Sequence, residues 1–247
     1  MPAARSNFFK AIFYLWTVLF CVLYLPLFWL PRNGLIAFQG IWSRGVRVIL
    51  QVIMNIRFEI RGTKYIPRGG ALIAMKHQSS FDTFVMHTVV SHPAFVMKKE
   101  LLRIPLYGQF CLNTGMIPVD RNGGLKALKK LMQDAKKSIN EERQLIIFPE
   151  GSRIPPGQHV EYQSGIFGIY KYIKKPVIPV ALNSGTYWPK KEHLVAGGTI
   201  IFEFLEPINV GLTKDVFMKV LENKIETASN DLINSCLLYT SPSPRDS

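Results

Sequence analysis

Two short polar segments carry the residue types that could do chemistry in this chain. The first, His77–Asp82, reads HQSSFD and supplies a base and a carboxylate. The second, Phe148–Arg153, reads FPEGSR and supplies an acid, a glycine and an arginine. An imidazole can take a proton from a hydroxyl group, and an arginine can bind an anion through two parallel hydrogen bonds. The two segments together predict a site that activates a hydroxyl group beside an anion.

The spacing within the first segment decides how its two chemical side chains can meet. Residues five apart on one continuous helix point about 140° away from each other, so His77 and Asp82 meet only if the histidine precedes the helix. Ser79 and Ser80 are suitable N-caps, which places the helix start near Phe81. Asp82 would then orient one imidazole nitrogen and leave the other free as a base. The segment also fits a capping box, in which Asp82 only satisfies backbone donors; both interpretations stay open here.

Other basic residues are candidate anion ligands because each follows a short apolar run. Arg121 and Lys98–Lys99 are placed in this way, although each taken singly is as readily a solvated surface residue. Gly151 and Arg153 together suit a phosphate, because a glycine turn lets backbone N–H groups approach its oxygens. Glu150 could orient a hydroxyl group or hold Arg153. The second segment taken alone also fits a surface turn with an exposed ion pair, which stabilises little.

Several common chemistries have no motif in this chain. There is no G-x-S-x-G elbow of a serine hydrolase, no P-loop and no dinucleotide-binding fingerprint. The 5 histidines and 3 cysteines show no metal-ligand or disulfide spacing. Cys111 has no adjacent base in sequence, so a cysteine acyl-enzyme is not supported. We therefore expect no metal ion and no cofactor.

After Arg57, short apolar runs alternate with helical patterns. The predicted strands are Phe58–Ile60, Ala71–Met75, Ala94–Met97, Gly115–Val119, Leu145–Phe148, Val177–Leu182 and Thr199–Leu205. The predicted helices are Phe81–Val90, Leu125–Asn140, Gly165–Ile173 and Thr213–Ser235. This alternation predicts an α/β fold with a mostly parallel sheet flanked by helices. Because sites in such sheets gather at the carboxyl ends of strands, the polar segments should share one cleft.

The N-terminal 57 residues are more apolar than the remainder. Ala11–Leu30 is an uncharged run about as long as the roughly 20 residues that span a bilayer. Gly34–Arg57 carries a polar residue at every fourth position, which predicts an amphipathic helix that can lie in a membrane interface; a core-facing helix shows the same pattern. We expect a hydrophobic two-helix motif embedded in one leaflet, with a single membrane span as the alternative.

The charge balance indicates an anionic partner. The chain has 30 Lys and Arg against 17 Asp and Glu, a net charge of +13, which suits a nucleic acid or an acidic lipid surface unless it is only a generic basic surface. The aromatic N-terminus favours an anionic membrane surface, and the absence of a nucleic-acid-binding motif argues against nucleic acid.

Three regions follow from these patterns. Residues 1–57 form the membrane-associated helical pair and residues 58–235 form the α/β domain. Residues 236–247, CLLYTSPSPRDS, lack periodicity and an apolar face. They look like a translated adapter fragment, and we expect a non-native or disordered tail.

Four blocks in order resemble the glycerolipid acyltransferases, in particular the bacterial 1-acyl-sn-glycerol-3-phosphate acyltransferases. The resemblance runs from about Phe58 to Ser235 and includes the family's HxxxxD motif, with a serine in the third block where many members carry threonine. The blocks are His77–Asp82, Gly115–Arg121, Phe148–Arg153 and Val177–Ala181. Four ordered blocks are far more specific than any one of them and favour the catalytic interpretation over the capping box.

The resemblance implies a role for each matching residue. His77 would be the general base and Asp82 would orient it, without a protein nucleophile. Pro179 would shape the site near the acyl donor. The remaining candidate substrate-binding residues, which would hold the acceptor's phosphate and glycerol or add positive charge, are Arg121, Glu150, Gly151, Ser152, Arg153, Lys98 and Lys99.

The implied reaction moves a fatty acyl group from acyl-CoA or acyl carrier protein to the sn-2 hydroxyl of 1-acyl-glycerol 3-phosphate, which yields phosphatidic acid. The acceptor is a lysophospholipid, and the implied location is the cytoplasmic face of a bacterial inner membrane. Two alternatives stay open: another acceptor, such as a lyso-ornithine lipid, and a membrane-surface binding module without catalysis.

Overall fold

The computed structural model describes the backbone of residues 2–240 and the side chains of residues 3–235. The strands are β1 (Arg57–Arg61), β2 (Ala71–Met75), β3 (Pro93–Lys98), β4 (Ile117–Val119), β5 (Gln144–Ile147), β6 (Val177–Leu182) and β7 (Thr199–Phe204). The helices are α1 (Pro2–Leu27), α2 (Arg32–Met54), α3 (Phe81–Val85), α4 (Tyr107–Asn113), α5 (Gly124–Asn140), α6 (Gly165–Ile173), α7 (Ser184–Tyr187) and α8 (Lys214–Thr240).

The strands form one mixed sheet in the order β1-β7-β6-β2-β5-β3-β4. From β6 to β4 every neighbouring pair is parallel. Strand β7 runs antiparallel to β6, and β1 pairs with β7 in parallel. The predicted α/β class with a mostly parallel sheet is therefore confirmed. The carboxyl ends of β2, β5, β3 and β4 lie along one edge, which is where the polar segments begin.

Both faces of the sheet are covered, and the alternation of side chains along the strands explains how. On one face Ile73 and Met75 of β2 join a core with α1, α2 and α3. On the other face Leu72 and Ala74 join a core with α5, α6 and α8. Each fully buried Leu or Ile side chain stabilises the fold by about 1.5–3 kcal/mol, and a central strand buried on both faces reads as a continuous apolar run.

Helix α2 joins the N-terminal region to the α/β domain instead of standing apart from it. Its Val46 and Leu50 belong to the same core as β2 and β6. Of the polar residues predicted on this helix, Ser43 faces the protein, since it is fully buried and its Oγ donates to the carbonyl of Phe84 at 2.8 Å, whereas Gln51 is exposed. Other apolar side chains of α2 point outward, and Val52 is 74% exposed. The division at residue 57 thus crosses a shared core and stays a prediction.

Helix α1 indicates membrane association. Over Ala3–Leu27 it is long and apolar enough to cross a bilayer, with a mean hydropathy of 2.0, and only 17% of its most apolar window is buried. It begins well before the predicted run, since Arg5 and Lys10 are accommodated in the helix, and it ends directly after Pro26. A single membrane span and a position within one leaflet both stay predictions.

Differences from the predicted elements are confined to short helices and to ends. The predicted helix Phe81–Val90 is only five residues of α-helix followed by a 3₁₀ turn over Met86–Thr88. Helices α4 and α7 are absent from the prediction, because each is too short for apolar periodicity to show. Helix α8 continues past the predicted end at Ser235 to Thr240. The remainder of the predicted tail, residues 241–247, lies outside the described residues.

Candidate active site

His77 and Asp82 make the contact that their spacing predicts. His77 lies in the short loop after β2, and Asp82 lies in the first turn of α3. The imidazole Nδ1 is 3.0 Å from Oδ2 of Asp82. An Nδ1 proton shared with the carboxylate leaves Nε2 unprotonated in the neutral ring, so Nε2 is the atom available as a base.

The Asp82 carboxylate both satisfies backbone donors of the loop before α3 and orients the histidine. Besides the His77 ring, its Oδ2 accepts the backbone N–H groups of Gln78 at 2.7 Å and Ser79 at 2.8 Å. Its Oδ1 accepts the hydroxyl of Ser184 at 2.5 Å. The carboxylate is fully buried, and these four donors offset the cost of removing it from water. The two interpretations that the sequence left open are therefore compatible in one geometry.

The plane of the His77 ring is fixed by an aromatic neighbour from the second segment. Phe148 stacks on the imidazole with ring centroids 3.9 Å apart and planes 20° from parallel. Phe95 of β3 stacks in turn on Phe148. Stacking on one side and the Asp82 bond at Nδ1 leave the ring little freedom to rotate, which keeps Nε2 pointed in one direction.

Glu150 belongs to the second segment, and its side chain holds the main chain of His77. Its Oε2 accepts the backbone N–H of His77 at 2.8 Å, and its Oε1 is 2.8 Å from Nζ of Lys76. The expectation that Glu150 holds Arg153 is wrong, because both carboxylate oxygens are committed elsewhere and the side chain is fully buried. Burial raises the pKa of Glu150 to about 7, against the opposing effect of the Lys76 cation.

Arg121 and Arg153 lie on the same side of the cleft as the base. Nη1 of Arg153 donates to Oγ of Ser80 at 2.6 Å, directly before α3. Gly151 has φ of +70°, and a Cβ built on it would lie 3.9 Å from the guanidinium carbon of Arg121. In the described part of the chain, no group accepts a hydrogen bond from the Arg121 guanidinium, so its five N–H donors are unpaired by the protein.

One cavity of about 1110 Å³ connects these groups. Its polar lining includes His77, Ser80, Lys98, Arg121, Glu150, Gly151, Ser152 and Arg153. Its apolar lining includes side chains of the N-terminal helices and of α3 and α4, among them Phe13, Phe20, Tyr24, Trp42, Phe84 and Phe110. The predicted shared cleft is thus present, and it continues between the N-terminal helices.

Two predicted ligands lie away from the cavity. Pro179 is inside the central strand β6, in register with Ala74 of β2, and does not border the cavity. Because strands β2 and β7 enclose Pro179 on both sides, the structure does not support a direct role for it in shaping the acyl donor site. Lys99 is 64% exposed and lies 3.8 Å from Asp120, again outside the lining, whereas Lys98 borders the cavity.

Sequence reasoning missed three groups that hold the site. Ser184 reaches Asp82 from 102 residues later in the chain, and no local pattern marks it. Lys76 had a sequence signal, because it lies directly between an apolar strand and His77. The structure buries it to 2% exposure. Its second partner, Glu226, lies on α8, and no sequence signal marks it.

Within residues 3–235, no cluster of three or more histidine, cysteine or acidic side chains is arranged to hold a metal ion.

Comparison with known proteins agrees with this geometry. A family model described as acyltransferase matches residues 57–183, from the first strand to just beyond β6. The chain belongs to the acyltransferase family. The matched range contains both polar segments and Arg121, and it ends at Asn183, directly before the Ser184 that holds Asp82.

Proteins of known name that resemble this chain are also acyltransferases. The 1-acyl-sn-glycerol-3-phosphate acyltransferase of Pseudomonas aeruginosa is 35% identical over 159 residues, which is 64% of this chain and 62% of that protein. The match thus covers just under two thirds of that relative. The human 1-acyl-sn-glycerol-3-phosphate acyltransferase alpha is 26% identical over 225 residues, 87% of this chain and 76% of that protein.

A solved structure shares the fold. The crystal structure of the 1-acyl-sn-glycerophosphate acyltransferase PlsC from Thermotoga maritima superposes with a TM-score of 0.70 at 19% identity. The likeness covers 94% of this chain and 99% of that one. Because the likeness extends over nearly the whole chain, the N-terminal helices belong to the shared architecture as well as the sheet.

Proposed function

We propose that this acyltransferase transfers a fatty acyl group from an acyl thioester to the sn-2 hydroxyl of 1-acyl-glycerol 3-phosphate and so forms phosphatidic acid. One observation carries the proposal. A histidine base with a free Nε2, two arginines and the apolar side chains of the N-terminal helices border a single cavity. A lysophosphatidic acid has the same arrangement of groups: a hydroxyl, a phosphate and one acyl chain.

The chemistry follows from the His77 geometry. Nε2 takes the proton of the acceptor hydroxyl while the oxygen attacks the thioester carbonyl, and a new C–O bond forms. The tetrahedral intermediate then expels the thiolate as the C–S bond breaks, and the imidazolium returns its proton to the sulfur. A positioned general base contributes about 100- to 10,000-fold to such a step. Asp82 stabilises the imidazolium while it exists.

No side chain of the chain is needed as a nucleophile in this mechanism. Cys111 borders the cavity, but burial raises the pKa of its thiol to about 11. A thiol with such a pKa is rarely a thiolate at neutral pH and attacks poorly. Direct attack by the lysolipid oxygen therefore accounts for the transfer with the groups present.

The phosphate of the acceptor would be held by Arg121 and Arg153. Guanidinium groups suit phosphate because they donate two parallel hydrogen bonds in a fixed plane. Gly151 keeps the turn between them open, since a residue with positive φ is best supplied by glycine. Ser152 and Lys98 border the same cavity and would add donors and positive charge.

Side chains of α1 and α2 line the cavity, so the acceptor's acyl chain would lie beside the membrane helices. We propose that α1 and the outward apolar face of α2 lie in the lipid of the bacterial inner membrane, with the α/β domain on the cytoplasmic face. The donor would be acyl-CoA or acyl carrier protein, and no other cofactor would take part. Both donors are acidic, and the net charge of +13 suits them as well as an anionic lipid surface.

The experiment that tests the proposal is a matrix of acceptors and donors. Purified full-length protein in phospholipid vesicles is given labelled acyl-CoA or acyl carrier protein with lysophosphatidic acid, a neutral-headgroup lysophospholipid or a lyso-ornithine lipid. We expect transfer to be fastest with lysophosphatidic acid. Preferential transfer to the lyso-ornithine lipid would replace the proposed acceptor, and vesicle binding without any transfer would support the non-catalytic alternative.

A further inference from the structure

A buried cluster of charges lies directly behind the catalytic histidine. Lys76 is 2% exposed although it is a lysine. Its Nζ lies 2.8 Å from Oε1 of Glu150 and 2.7 and 2.8 Å from the two carboxylate oxygens of Glu226. Lysine is almost never buried this deeply unless it is paired, so the cluster is a built feature of the fold.

The cluster forms a continuous chain from helix α8 to the main chain of the base. At one end Glu226, on α8, also accepts the hydroxyl of Tyr162 at 2.7 Å. In the middle Lys76 joins Glu226 to Glu150. At the other end Oε2 of Glu150 accepts the N–H of His77 at 2.8 Å. Within the described residues, neither Lys76 nor Glu226 borders the cavity, so the lysine acts on the histidine and not on the substrate.

Burial of these charges needs a reason other than stability. Removing ions from water is so costly that a well-packed apolar replacement is often at least as stable as a buried ion pair. What an ion pair supplies and apolar packing does not is a fixed direction for each hydrogen bond. Here that direction is passed to the backbone of His77, because a Glu150 side chain without Lys76 would lose the cation 2.8 Å from Oε1 and would be free to turn.

We propose that Lys76 is a positioning residue for His77, acting through Glu150 and anchored to α8 by Glu226. The inference rests on the proposed function, because His77 is its general base. Asp82 and Phe148 fix the ring of His77, whereas the Lys76 chain fixes its main chain. A displacement of about 1 Å at a catalytic group can lower the rate about 100-fold. Removal of the Lys76 cation should therefore lower kcat.

The kinetic test uses Lys76→Met, which keeps most of the length of the side chain and removes the charge. We expect kcat per folded molecule to fall about 100-fold, while the KM values for acceptor and donor stay within about twofold because no substrate contact is lost. Lys76→Arg, which retains a cation, should recover part of the activity. A folded Lys76→Met protein with wild-type kcat would overturn the proposal.

A second variant keeps the test decisive if Lys76→Met does not fold. Glu226→Gln preserves size and one acceptor oxygen but turns an amide donor toward Lys76 or Tyr162, and we expect a loss of about tenfold in kcat. Glu222→Gln is the matched control, because it removes the surface ion pair of the same helix with His159 and should leave kcat unchanged. Equal kcat values in Glu226→Gln and Glu222→Gln would overturn the inference.

A spectroscopic measurement separates positioning from a loss of folded protein, and it does not depend on which substrate is used. An imidazole N–H bonded to a carboxylate gives a downfield proton resonance, which His77→Gln identifies by its disappearance. In Lys76→Met or Glu226→Gln the Nδ1 proton of His77 should move upfield and exchange faster with water. An unchanged resonance contradicts the positioning role even if no acceptor is acylated, whereas inactive wild-type protein with the expected shift counts against the proposed function alone.

Discussion

The backbone N–H of His77 donates to Oε2 of Glu150 at 2.8 Å, which joins two motifs that are 73 residues apart. The reverse bond runs from the N–H of Ile154 to the carbonyl of His77, also at 2.8 Å. The turn that presents Arg153 is therefore the same turn that fixes the base. Because this pairing sets both, the distance between base and candidate phosphate ligand is a property of the fold and not of two independent loops.

Removal of the base should abolish transfer and leave membrane association intact. In His77→Ala no group replaces Nε2, and we expect the rate to fall about 100- to 10,000-fold. Helix α1 and the outward face of α2 are not altered, so the variant should float with anionic vesicles as the wild type does. Initial rates and vesicle flotation measure the two properties on one preparation. Full activity in this variant would defeat the mechanism.

Arg153 should affect the acceptor more than the donor. In Arg153→Ala the candidate phosphate site loses a bidentate donor, and we expect the acceptor KM to rise about tenfold or more with a smaller change in the donor KM. Ser80→Ala serves as the comparison, because it removes the 2.6 Å partner of Arg153 and retains the guanidinium. An unchanged acceptor KM in Arg153→Ala would remove the arginine from the phosphate role.

Gly151 and Gly157 form a matched pair for separating strain from function. Both have positive φ, of +70° and +76°, and neither has an atom closer than 3.4 Å to a built Cβ. Alanine in this conformation costs about 1–2 kcal/mol, so both variants should lose similar thermal stability. Only Gly151 borders the cavity, and we expect only Gly151→Ala to lose activity. Equal activity losses in the two variants would show that strain alone is responsible.

The raised pKa of Glu150 should appear in the pH dependence of stability. Its folded value of about 7 lies above the ordinary 4.5, so the folded protein binds this proton more tightly than the unfolded chain does. The resulting stabilisation is fully present below pH 4.5 and is lost as the pH rises to about 7. The change amounts to roughly 3 kcal/mol at most.

The comparison of wild type with Glu150→Gln isolates this contribution. His87 also titrates in this range, because burial lowers its pKa to about 4 from the ordinary 6.5. The titration of His87 contributes equally to wild type and to Glu150→Gln, so it cancels when their free energies of unfolding are subtracted. We expect this difference to change between pH 4.5 and about 7, and a difference independent of pH would contradict a raised Glu150 pKa.

Most of the sheet could be predicted from the sequence because its strands are short, apolar and bounded by turn residues. Ala71–Met75 and Val177–Leu182 match the predicted bounds, since both are buried on both faces. The antiparallel placement of β7 could not be predicted, because direction in a sheet depends on which strands become neighbours. Helix α4 is too short for its periodicity to show, and its contacts come from α1, where Tyr24 packs on Phe110 and accepts a hydrogen bond from Asn113.

The sequence alone predicted which residue types could do chemistry and where the helix after His77 begins. The five-residue interval from His77 to Asp82 required a loop followed by a helix, and the order of the four blocks indicated the family. Only the tertiary structure decided what holds those residues. Ser184 on Asp82 and Glu226 on Lys76 are contacts across 102 and 150 residues. Local spacing cannot encode such contacts, because they exist only after the sheet has brought distant segments to one edge.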